Sequence, residues 1–314
     1  MSFSSKIKEE LSGQCPLGRH CQIAEIAAII SMCGRIIISV KDEYTIKIHT
    51  ENISVARKYF TLLKKTYNID TEISIRRSSK MCLYTVIIRK HEDSIKVLKA
   101  SKLLDLNGEI CENMSVSDNL IIQKECCKRA FIRGAFLATG SVSDPEKFYH
   151  YEIVCSTYDK AVQLQKIIQS FNIDAKIVER KKYFVVYIKE GSGIVDILNV
   201  MEAHISLMNL ENIRILKEMR NSVNRKVNCE TANLKKTVSA AVKQIEDIKY
   251  IRDTKGLSIL SEGLEEVAKL RIENPEASLK ELGEMLNPTV GKSGVNHRLR
   301  KICEIAEDLR NNLG

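Results

Sequence analysis

The chain has 314 residues, 44% hydrophobic and 28% charged, which is enough apolar material for two or three folded domains and excludes a disordered polymer. Its formal net charge of +9 favours a polyanionic partner without choosing among DNA, RNA and acidic lipid. No run of eighteen apolar residues occurs and MSFSSKIKEELSG lacks an apolar signal core, so a soluble cytoplasmic protein with no membrane partner is expected.

From about residue 20 the sequence AEIAAIISMCGRIIISV predicts an apolar helix ending in Gly34 and running into a strand. A helical run SVARKYFTLLKKTYNID, strands TEISIRR and CLYTVIIR, and a helix from Ser94 to Leu104 follow. The same order returns as KRAFIRGAFLATGSVS, KAVQLQKIIQSFNID, AKIVER, FVVYIKE and a helix from Ile194 to His204, with Tyr67-Asn68-Ile69-Asp70 answered by Phe171-Asn172-Ile173-Asp174. The repeats, at about 20–106 and 126–207, predict a pseudo-twofold α+β domain over 1–220 built from two helix-hairpin-helix-hairpin-helix units. Ala24 and Ala28 in one leading helix, and Ala130, Gly134 and Ala138 in the other, form small-residue stripes that let two helices approach closely. Gly34 and Gly140 are expected to be left-handed helix stops.

Residues 221–255 are predicted as a helical connector. The polar stretch Glu211–Arg252 has neither glycine nor proline and reads as two helices, jointed at Asn224–Glu230. Within it Arg225, Lys226, Lys235, Lys236 and Lys243 are candidate phosphate contacts.

Residues 256–314 predict an all-α helix-turn-helix domain. Leu264–Ile272 supplies a first helix, and Ser278 with Glu281 forms a capping box that opens SLKELGEML, which stops at Asn287-Pro288. In the next helix, beginning near Ser293, Val295, Leu299, Ile302, Ala306 and Leu309 recur at three- and four-residue steps and must face the core. The candidate DNA-binding residues are therefore Lys292, Ser293, Asn296, His297, Arg298, Arg300 and Lys301. Arginine pairs in bidentate fashion with guanine and asparagine with adenine, while lysine, serine and a helix N-terminus hold phosphate.

Neither a cofactor nor a metal is expected. Gly291-Lys292-Ser293 lacks the upstream glycine of a phosphate loop, and Gly191-Ser192-Gly193 lacks the third glycine of a dinucleotide turn. The ten cysteines contain no CxxC pair and read as reduced thiols. Cys15, His20, Cys21 and Cys33 are the densest group, but their spacing matches no two-plus-two zinc pattern. The adjacent Cys126 and Cys127 are expected to pack rather than to share a ligand.

Small-residue helices closed by glycine, followed by sheets around a pseudo-dyad, resemble the LAGLIDADG homing endonuclease fold, and IRGAFLATG (Ile132 to Gly140) aligns with the family's nonapeptide. In active members the residue before the last glycine is acidic, because paired carboxylates hold the divalent ions. Here those positions are Cys33 and Thr139, so the resemblance implies a domain that no longer cuts DNA. Asp144 and Glu146, flanking Pro145, read as turn residues rather than replacement ligands.

A degenerate domain of this kind with a helix-turn-helix tail resembles the WhiA family of Gram-positive bacteria. RGAFLATGSVSDPEK, NRKVNCETANLKKT and SLKELGEMLNPTVGKSGVNHRLRK are its most specific blocks. The resemblance implies a tail similar to sigma factor region 4 and a non-enzymatic, sequence-specific transcription regulator linked to cell division, chromosome segregation and sporulation. Its implied partner is promoter double-stranded DNA in a nucleoid-associated, cytoplasmic setting, with another transcription factor or RNA polymerase as a candidate protein partner. The alternative is a nucleoid-associated or division-linked adaptor that works through protein contacts.

Overall fold

The computed structural model describes residues 2–78, 82–104, 110 and 119–312; the expected end of the first repeat at 106 lies outside the described residues. The chain forms two compact units, Met1–Lys217 and Glu218–Gly314.

In the first unit, α1 (Phe3–Gly13) precedes two copies of one motif. The first copy is α2 (Arg19–Cys33), β1 (Gly34–Ile38), β2 (Tyr44–Thr50), α3 (Ile53–Tyr67), β3 (Glu72–Arg77), β4 (Cys82–Ile88) and α4 (His91–Ala100). The second is α5 (Glu125–Thr139), β5 (Gly140–Val142), β6 (Tyr151–Cys155), α6 (Tyr158–Gln169), β7 (Lys176–Arg180), β8 (Tyr183–Ile188) and α7 (Gly191–Val200). The antiparallel sheets have matching strand orders, β1-β2-β4-β3 and β5-β6-β8-β7, as a duplicated α+β domain requires. Ile46, Ile48, Val86 and Ile88 bury one face of the first sheet, and Ile153, Val186 and Ile188 bury the corresponding face of the second.

Helices α2 and α5 pack along their small-residue stripes. A Cβ at Gly134 would lie 2.5 Å from the Glu25 carbonyl oxygen, so only glycine admits this approach. The contact is not purely apolar. Fully buried Glu25 pairs with Lys58 at 3.1 Å and with Arg133 at 3.3 Å, and Arg133 reaches Glu202 at 2.7 Å. Burial pulls Lys58 below its ordinary value, opposed by the neighbouring Glu25 carboxylate.

Gly34 and Gly140 are not left-handed stops; their φ values of −74° and −81° are extended. Each begins a strand directly against the last helical turn. A Cβ on Gly34 would meet the Ile30 carbonyl at 2.5 Å, and one on Gly140 would strike Phe136. The left-handed stops fall instead on the repeated asparagines, Asn68 at φ 53° and Asn172 at φ 61°. The closing helices α4 and α7 end earlier than Leu104 and His204. Lys102 and Glu202 turn left-handed, and Leu103 and Ala203 return their N–H groups to the Leu98 and Leu198 carbonyls.

α8 (His204–Thr254) is one uninterrupted 51-residue helix, so the two connector helices expected from the sequence are a single element. The proposed joint at Asn224–Glu230 is polar but contains no helix breaker, and nothing there interrupts the backbone ladder. In the second unit it is followed by α9 (Glu262–Glu273), α10 (Leu279–Glu284) and α11 (Lys292–Asn312). Ile248 and Ile251 of α8 share a core with Leu264 and Val267 of α9, Leu282 of α10, and Leu299 and Ile302 of α11. No helix among the described residues is long and apolar enough to cross a membrane.

Candidate nucleic-acid interface

The helix-turn-helix geometry is set by a few local devices. Ser278 caps α10: its Oγ accepts from the Glu281 N–H at 3.3 Å, and the Glu281 carboxylate accepts from the Ser278 N–H at 2.7 Å. These hydrogen bonds, the backbone one foremost, hold Glu281 below the usual carboxylate range. The Val290 N–H closes on the Gly283 carbonyl at 3.0 Å, and a Cβ on Gly283 would collide with the Val290 oxygen. Arg271, buried, donates to Gln244 of α8 at 3.1 Å and to the Ala277 carbonyl at 2.6 Å, tying the helices to the connecting turn.

On α11, Val295, Leu299, Ile302 and Ala306 are fully buried, while Leu309 is half-buried. Because the stripe faces inward, Lys292, Ser293, Asn296, His297, Arg300 and Lys301 are exposed. Ser293, Asn296, His297, Arg300 and Lys301 line one hollow of about 540 Å³. Arg298 lies elsewhere: it is half-buried, and its guanidinium donates to the Gly263 carbonyl at 3.3 Å. It stands toward the start of α9 rather than on the outer face, held there by a contact with a distant helix.

Arg225, Lys226, Lys235 and Lys236 are exposed on α8. Lys236 shares a second hollow, about 550 Å³, with Lys292, Ser293 and Asn296. Lys243 is already engaged with Glu307 of α11 at 3.1 Å, a hydrogen-bonded pair that raises its pKa. The convergence of Lys236 with the start of α11 was not legible in the sequence, because it depends on how α8 packs in the second unit.

At the C-terminal ends of α2 and α5 stand Cys33 and Thr139. The Cys33 thiol donates to the Ile29 carbonyl at 3.3 Å, and burial pushes its pKa to about 12. The Thr139 hydroxyl oxygen is buried without a hydrogen-bond partner. Lys8 of α1 is close enough to Cys33 and Glu51 for both to favour its charge, although burial lowers its pKa on balance. Asp144 accepts from the Glu146 N–H at 3.1 Å, a local turn contact.

The other ends of these helices differ from expectation. Cys15 and Cys33 do not join His20 and Cys21; Cys126 and Cys127 do, with all four ligand atoms within 4.8 Å of one another. Adjacent side chains in a first helical turn can converge when a second helix start meets them, which corrects the expectation that Cys126 and Cys127 only pack. A signal was available. The 106-residue displacement that relates Gly34 to Gly140 also relates His20 to Cys126 and Cys21 to Cys127.

The solvent face of the first sheet is basic. Arg35 and Lys47 stand directly opposite each other, and Arg76 projects from β3. Burial, then the charges of Arg35 and Lys47, hold His49 below its ordinary value.

Fold and site together define a two-part protein, a duplicated LAGLIDADG-like domain followed by a helix-turn-helix domain. Three family models match it part by part: the WhiA N-terminal LAGLIDADG-like domain over residues 19–104, the WhiA LAGLIDADG-like domain over 128–220, and the WhiA C-terminal HTH domain over 223–306. The chain belongs to the WhiA family. It is 60% identical over 312 residues to the "Probable cell division protein WhiA" of Lachnoclostridium phytofermentans, covering 99% of this chain and 100% of that relative. A relative of the same name from Alkaliphilus oremlandii is 48% identical, covering 99% and 98%. The crystal structure of full-length WhiA from Thermatoga maritima superposes with a TM-score of 0.60 at 28% identity, covering 98% of this chain and 99% of that one.

Proposed function

We propose that this chain is a sequence-specific DNA-binding transcription regulator linked to cell division, in which α11 enters the major groove and the duplicated body has no nuclease activity. The observation that carries the proposal is the outer face of α11. Its polar side chains, all exposed and gathered in one hollow, include an arginine and an asparagine suited to base edges. Lys292, Lys236 and the α11 N-terminus suit phosphates beside them. Arg225, Lys226 and Lys235 add affinity without sequence choice, and Arg298 supports the helix from behind.

The body supplies a second, nonspecific DNA surface. Like charges directly opposite on neighbouring strands, as at Arg35 and Lys47, are unfavourable alone and are relieved by a polyanion. The loss of cleavage rests on the donor chemistry at Cys33 and Thr139: a high-pKa thiol and a neutral hydroxyl are poor ligands for the hard ions of phosphodiester cleavage.

The deciding experiment is a genome-wide binding map combined with transcript profiling of a deletion strain. Discrete promoter sites whose genes change expression support a regulator; broad occupancy with unchanged transcripts favours the adaptor role. Nicking of supercoiled plasmid by purified protein with magnesium or manganese would overturn the non-enzymatic assignment.

A further inference from the structure

At the N-terminal ends of α2 and α5, one imidazole nitrogen faces three sulfur atoms. His20 Nδ1 lies 3.1 Å from Cys21 Sγ, 3.2 Å from Cys127 Sγ and 4.0 Å from Cys126 Sγ. Such a nitrogen carries either one proton or one lone pair, so only one of these contacts can be an ordinary hydrogen bond. The nitrogen can therefore serve only one of the three thiols, which otherwise face one another. A cation at their centre would satisfy all four ligands together.

We propose that His20, Cys21, Cys126 and Cys127 form a structural site for a thiophilic divalent cation, Zn²⁺, on the pseudo-dyad of the duplicated domain. The donor set is Cys₃His, a common structural zinc combination. With Zn–S near 2.3 Å and Zn–N near 2.0 Å, tetrahedral Cys₃His coordination needs ligand atoms about 3.5–3.8 Å apart. The four ligand atoms lie within 4.8 Å of one another, so only small side-chain rotations would be needed to close on an ion.

Three further features support the assignment. Two ligands come from equivalent positions of each repeat, so the site is as symmetric as the fold that carries it. Each pair lies in the first turn of a fifteen-residue helix, so the two helix starts present their ligands to one another. Beside it opens a cavity of about 250 Å³ lined by His20, Ile23, Lys102, Leu120, Lys124 and Cys127, which gives an entry path. Cys21 and Cys127 are buried while His20 and Cys126 are exposed, so the ion would be anchored from within and exchangeable from outside.

A central cation would take up the ligands as thiolates and release their protons to solvent. The ion would link the two repeats at the helix ends opposite Cys33 and Thr139.

The test uses full-length protein, purified with reductant, stripped with chelator and titrated with Zn²⁺ or Co²⁺. About one zinc per chain is expected, and Co²⁺ should give thiolate-to-metal charge-transfer absorption with intense tetrahedral ligand-field bands. Cys127→Ser and Cys126→Ser should reduce bound zinc from about one to near zero per chain, while Cys303→Ser retains it. The wild-type cobalt spectrum keeps the test valid if a variant fails to fold. Three outcomes would overturn the proposal: no stoichiometric binding, zinc retained by both serine variants, or a disulfide among Cys21, Cys126 and Cys127 in place of metal under reducing purification.

Discussion

The duplicated body and the helix-turn-helix domain use charge in opposite ways. In the body the decisive charges are buried and satisfied internally: Glu25 lies between Lys58 and Arg133, and Lys160 donates to the Ser31 carbonyl at 2.7 Å. In the second unit Arg271 is buried and structural, but most of the basic residues on α11 stand exposed. Buried pairs specify how helices meet and have no capacity left for a ligand; exposed cations on a rigid helix retain theirs. The buried pairs thus hold the architecture of the body, while exposed cations such as Arg35 and Arg76 on its first sheet, like those on α11, are not committed to it.

Substitutions can break that contrast. The largest effect is expected for Glu25→Ala, which leaves Lys58 and Arg133 uncompensated and should cost about 3–5 kcal/mol in denaturant unfolding. A loss under 1 kcal/mol would show that the buried network does not organise the body. Arg300→Ala is expected to weaken binding to a specific site by about 1–3 kcal/mol and to relax base preference, with thermal unfolding unchanged. Equal losses on specific and random duplexes would remove α11 from base recognition.

Ser278→Ala should destabilise the second unit by about 1 kcal/mol through loss of the cap, measurable as a lower Tm. The smallest change is expected for Lys236→Ala: affinity falls similarly on all sequences, and the salt dependence of binding decreases by about one counterion. An altered sequence preference would instead place Lys236 at a base edge.

Much of this arrangement could be read from residue order. The capping box at Ser278 and Glu281, the buried stripe from Val295 to Ala306, and the repeat with its matched asparagines all depend on contacts within a few residues. Periodicity reports such contacts directly. It failed where a distant element decided the outcome. Gly34 and Gly140 serve close packing rather than a left-handed turn, and Arg298 bonds to the start of α9. In the Asn224–Glu230 segment polarity does not break the helix, because helices end at specific backbone features rather than at polar residues.

Sequence by itself determined that two similar α+β units precede a helix-turn-helix, and which side of α11 must face the core, because helical and strand periods are properties of neighbouring residues. Tertiary structure alone decided which side chains meet across the pseudo-dyad. Arg133 reaches Glu25, and Cys127 reaches His20, over more than a hundred residues. Their meeting depends on two helices packing at a distance that Gly134 permits, a relation that no local period encodes.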